Sequence, residues 1–104
     1  YFRSVEGRLL LGGGRHLDKG TETTLEPGIN EAILEALTED MHQLICPGQG
    51  LEIDQIWTGV MAFGATKEPI VKKLSDRIAL GARLGGMGVA LGTEVGHDVA
   101  ALLG

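Results

Sequence analysis

Arg77-Ile78-Ala79-Leu80-Gly81-Ala82-Arg83-Leu84-Gly85-Gly86-Met87-Gly88-Val89-Ala90-Leu91 is the stretch on which the reading of this chain turns. Ile78, Leu80 and Ala82 alternate with small or polar neighbours, which predicts a strand over Arg77 to Arg83. The run Val89, Ala90, Leu91, Val95, Val99, Leu102 and Leu103 predicts a helix packed on a sheet. Between the two lies a glycine turn. The first N–H groups of such a helix point outward with partial positive charge, and missing side chains let an electron-rich group come close. On the residues alone two readings stand side by side. The turn is a docking point for an anion or polar ring, or its glycines only permit tight packing, with Gly88, Gly92 and Gly96 forming a groove at four-residue spacing.

Working outward, Pro69 to Leu74 predicts a short strand, and Ser75-Asp76 turns the chain into the next one. Leu51 to Phe63, rich in β-branched and aromatic residues, predicts a long strand bulged at Gly59. Ile33, Leu34, Leu37, Met41, Leu44 and Ile45 recur at three-and-four spacing and predict a helix, with Asn30 as its cap, Glu31 in its first turn and Cys46-Pro47-Gly48 closing it. Glu6-Gly7 separates Tyr1 to Val5 from Arg8 to Leu11 and predicts a β-hairpin, and Gly12 to Gly28 reads as a long loop. The expected class is α+β, a mainly antiparallel sheet with two helices in the order ββαβββα.

Composition excludes several function classes. A length of 104 residues fits one small domain, and 9 Lys plus Arg against 14 Asp plus Glu leave a net charge of -5, which argues against a phosphate-backbone partner. Lys72-Lys73 reads as a solvated strand edge. Cys46 is the sole cysteine, so no internal disulfide forms; that suits a cytoplasmic setting, and the residues read as a chain without a membrane span. The opening at Tyr1, without methionine and directly in a strand-like run, reads as an excised domain.

The chemistry-bearing residues are sparse. His16, His42 and His97 lack the short pairings of metal ligands, so no metal centre is expected; His16, beside Arg15 and Asp18 in the glycine loop, is the functional candidate among them. A dinucleotide fingerprint fails because Leu91 stands at the third glycine position, and no lysine-serine/threonine ending makes a phosphate loop. Trp57-Thr58-Gly59-Val60-Met61 sets a tryptophan before a glycine at which a flat group or another backbone can approach, with core packing as the competing account.

Arg8 to Arg15 with its three glycines, Trp57 to Phe63, Pro69, and Gly85-Gly86-Met87-Gly88 entering a final helix together resemble the FAD-dependent D-amino acid oxidase and glycine oxidase superfamily, in order and spacing across essentially the whole chain. The resemblance implies a C-terminal piece whose missing N-terminal domain holds most of the FAD. It assigns residues 1–74 to the substrate domain and 75–104 to the closing strand and helix of the FAD domain. Gly85, Gly86, Met87, Gly88 and Val89 would face the isoalloxazine ring, and Trp57, Gly59 and Met61 are substrate-pocket candidates.

Two departures bear on substrate. Val60, Met61 and Ala62 stand where many members carry a carboxylate-binding arginine, and Lys67-Glu68 replaces the usual aspartate-glycine before the proline. The implied function is oxidation of an amine or amino-acid C–N bond by hydride transfer to flavin, with the isolated piece inactive and self-associating through uncovered apolar faces. The competing class is a small noncatalytic association module.

Overall fold

The computed structural model describes all residues, 1–104. The chain forms two compact units, Tyr1–Val60 and Met61–Gly104.

In the first unit, β1 (Phe2–Val5) and β2 (Arg8–Leu11) pair antiparallel with Val5 opposite Arg8. A two-residue loop between right-twisted strands needs positive φ at both positions, and Glu6 (51°) and Gly7 (78°) supply it. A single 3-10 turn, Arg15–Leu17, follows. Helix α1 (Glu31–Asp40) begins as the sequence requires: the Asn30 side chain accepts from the Ile33 N–H at 3.3 Å. The same side chain donates to Asp18 at 2.9 Å and Glu22 at 3.2 Å, so one amide starts the helix and fastens the preceding loop to it.

The last turn of the helical run is wider. Met41–Ile45 is a π turn, with the Cys46 N–H donating to the Met41 carbonyl at 2.9 Å. That extra residue per turn shifts the phase of the apolar stripe. Met41 stays buried at 8% exposure while Leu44, expected on the same face, is 74% exposed. Ile33 and Met41 are the only buried apolar side chains of the protein.

The expected strand over Leu51 to Phe63 does not form, and the observed strand and helix order is ββαββα. Its residue types suit a sheet, but nothing in the 104 residues pairs with it, and a strand without a neighbour leaves its N–H and C=O groups to water. Within this segment Asp54 is held by the Arg8 guanidinium.

In the second unit β3 (Ile70–Ser75) and β4 (Ile78–Ala82) pair antiparallel, with Val71 opposite Gly81 and Lys72 opposite Leu80, and α2 (Gly88–Leu103) lies on the hairpin. The face of β4 turned to α2 is the one that carries the small residues. A Cβ at Gly81 would sit 2.8 Å from methyls of both Val95 and Val99, so α2 covers the Ala79/Gly81 side, while Ile78 and Leu80 point away and are exposed at 56% and 38%. Small residues win this face because they let the helix come close. Leu91, Val95, Val99 and Leu102 form the half-buried stripe of α2.

Three outcomes follow. Gly81→Ala pushes two valines off the hairpin and costs about 1–3 kcal/mol in denaturant unfolding. Asn30→Ala loses the cap and costs about 1 kcal/mol. The Asn30 amide, then the Thr21 hydroxyl and N–H, hold the Asp18 carboxyl below its usual range. A depressed carboxylate stabilises the fold above the unfolded pKa of about 3.9, and that contribution is lost as pH falls through the lower folded value. Melting temperature followed by circular dichroism therefore loses part of its acid limb below about pH 4 in Asp18→Asn.

Candidate functional site

The turn from β4 into α2 is built from left-handed backbone. Arg83 (φ 60°), Gly85 (57°) and Gly86 (83°) reverse the chain, and the Met87 N–H closes it on the Leu84 carbonyl at 2.8 Å. Gly85 and Gly86 take this conformation without a Cβ penalty. No side chain caps α2. The Ala90 N–H donates to the Met87 carbonyl at 3.1 Å, while the N–H groups of Gly88 and Val89, which lack acceptors one turn back, keep their hydrogen-bonding capacity for something outside the helix.

This end of the unit is open. Gly86, Met87 and Val89 are exposed, and Gly85 and Gly88 are half-buried. A Cβ added at Gly86 would meet only the Met61 sulfur, at 3.7 Å, and one at Gly85 would meet the Phe63 ring at 3.8 Å. Residues 61–63 therefore run beside the turn without covering it. Along that seam lies a cavity of about 240 Å³, lined among others by Phe63, Thr66, Lys67, Arg83, Gly85 and Met87.

The candidate residues divide between the two units. Met61 and Gly85 through Val89 come together in the second. Trp57, 66% exposed, and Gly59, with open space around its Cα, belong to the first. His16 lines a cavity of about 420 Å³ in the first unit with Tyr1, Phe2, Leu37 and Asp40. His42 and His97 are exposed on helical turns, as their sequence positions suggest. Glu94, His97 and Asp98 bring donor atoms within 4.8 Å of one another on α2, all three exposed.

Sequence reading missed Arg83. Its guanidinium donates to the Glu68 carbonyl at 2.8 and 3.0 Å and to the Thr66 hydroxyl at 3.2 Å, and nothing local in the sequence announces a partner fifteen or more residues away. The signal that existed was a bulky residue where the chain must turn tightly.

Residues without side chains on the open side, backed by uncapped amides, fit a planar, electron-rich ring resting on them. The family model described as FAD dependent oxidoreductase, DAO, matches residues 1–102. The chain belongs to this family of FAD-dependent oxidoreductases. Among curated proteins and among solved structures, none matches it.

Gly86→Val places a branched side chain at φ 83° on the open side of the turn. The expected result in the FAD-loaded enzyme is about tenfold weaker FAD retention, about 1.4 kcal/mol, read by equilibrium dialysis, while Gly28→Ala, at a glycine with free space and ordinary φ, leaves it unchanged.

Proposed function

We propose that this chain forms the flavin-facing wall of an enzyme that oxidises the C–N bond of an amine or amino acid. The observation that carries the reading is the exposed left-handed glycine turn at the start of an uncapped helix, in a chain of the FAD-dependent oxidoreductase family. FAD, when bound, supplies the acceptor for a hydride. The N–H groups of Gly85, Gly86, Gly88 and Val89 would face the bound flavin and favour negative charge developing on it, because they are already oriented and need no reorganisation, while the Met87 N–H closes the turn on Leu84. Met61 flanks the turn; Trp57 and Gly59 would supply a flat surface and a close approach on the substrate side.

The division of labour puts residues 1–74 on the substrate side and 75–104 on the flavin side, joined through the β3–β4 pairing. The grip on the adenosine diphosphate half of FAD falls to a separate FAD-binding domain, since no strand-turn-helix fingerprint for it occurs in these residues. Exposed Ile78 and Leu80 on the uncovered face of the hairpin support association with another polypeptide surface, that domain or a second copy of the chain. Val60, Met61 and Ala62 in place of a carboxylate-binding arginine favour a less polar amine.

The enzyme containing this chain is expected to purify yellow, with a flavin absorption band that bleaches when an amine or amino acid is added without oxygen. A colourless protein that takes up no FAD sinks the reading. Bleaching by alcohols or 2-hydroxy acids, with none by amines, moves the reaction to a different bond.

A further inference from the structure

Arg83 occupies left-handed backbone at φ 60°, a conformation that costs a residue with a Cβ, between strand β4 and a turn whose other left-handed members are glycines. Strain of this kind persists where surrounding contacts over-determine it. Here they are visible: the Nε and Nη2 groups of Arg83 converge on the Glu68 carbonyl at 3.0 and 2.8 Å, and Nη2 also reaches the Thr66 hydroxyl at 3.2 Å. A second observation points the same way. A Cβ at Gly64 would lie 2.6 Å from Arg83 Cδ and 2.9 Å from its Cζ, so the guanidinium crosses the backbone at the one residue type that leaves room for it. Gly64 is not left-handed, so its lack of a side chain answers to the arginine rather than to its own backbone.

We propose that Arg83 is a positioning residue, a clip that fastens segment 64–68 across the mouth of the glycine turn and thereby holds the Gly85 and Gly86 amides at the angle from which they address the flavin. The clip deepens the reading above and rests on it. In this role Arg83 acts through the turn. Its planar fork lets two N–H groups share one carbonyl and a third reach a hydroxyl, which a lysine ammonium cannot reproduce at the same reach. The segment it holds carries Phe63 at one end, beside Gly85, so releasing the clip frees both the turn and the wall that flanks it.

The test uses the FAD-loaded enzyme with Arg83→Gly, Arg83→Lys, Gly64→Ala and the double variant Arg83→Gly/Gly64→Ala. Amide hydrogen exchange of peptides covering 62–68 and 83–88 is measured beside the flavin midpoint potential. Arg83→Gly relieves the backbone strain and removes the tether, so a clip predicts exchange in 64–68 faster by about tenfold and a midpoint potential moved to more negative values. Arg83→Lys falls between. Gly64→Ala reproduces the effect on the native background and adds nothing once Arg83 is gone, since the three atoms nearest a Cβ there all belong to the Arg83 side chain.

Unchanged exchange in Arg83→Gly overturns the proposal. So does faster exchange with an unaltered potential, because the clip would then position nothing the flavin feels. Equal damage from Gly64→Ala with and without Arg83 also overturns it. The underlying placement of the turn fails separately: in the native enzyme, FAD binding would then leave the exchange of Gly85 to Val89 unprotected.

Discussion

The second unit is organised by left-handed backbone at the exit of β4. Two of the three left-handed residues are glycines and adopt it freely; the third, Arg83, costs about 1–2 kcal/mol, which three hydrogen bonds to residues 66 and 68, at about 0.5–1.5 kcal/mol each, offset. The direction in which α2 leaves this turn brings Val95 and Val99 down onto Gly81, where any larger residue would hold the helix away. Turn, helix direction and helix packing are therefore one constraint seen at three places. The amides at the helix start are left uncapped by the same geometry, since no side chain with an acceptor stands at Met87.

The first unit depends on a smaller device. Asn30 caps α1 with its carbonyl oxygen and ties down the loop with its NH2, which brings Asp18 and Glu22, two carboxylates, to a common donor. Behind it Ile33 packs against Gly14, where a Cβ would lie 2.7 Å from a methyl of Ile33. Beyond Ile33 and Met41 little apolar surface is withdrawn from water. Large apolar side chains such as Trp57, Phe63, Leu74 and Ile78 remain exposed.

Membership of the FAD-dependent oxidoreductase family and the geometry of the turn bear on each other. The proposed reading needs an open backbone and donors already in place, which Gly85, Gly86 and Gly88 and the free N–H groups at the start of α2 offer. Under the proposed reading, catalytic power in such a site comes from fixed dipoles rather than from a titrating side chain. Rigid placement of those amides then matters more than the identity of any one functional group.

The hairpin at Glu6-Gly7, the Asn30 cap, the strands on either side of Ser75-Asp76 and the final helix were all legible in the amino-acid order, because each is decided by residues within a few positions of one another. The glycine turn was legible for the same reason. What the order of residues left undetermined was every feature that needs a distant partner. Leu51 to Phe63 has the composition of a strand and no neighbour to pair with. The alternation of Ile78 and Leu80 predicts a strand without saying which of its faces is covered, and α2 lies on the small residues between them, since close approach outweighed side-chain size. The π turn at Met41 to Ile45 rotated Leu44 into water, and Arg83 found Glu68 and Thr66 across the second unit. Local hydrogen bonding and backbone preference are written in neighbouring residues. Which face is covered, and by what, is settled only when segments far apart in the chain meet.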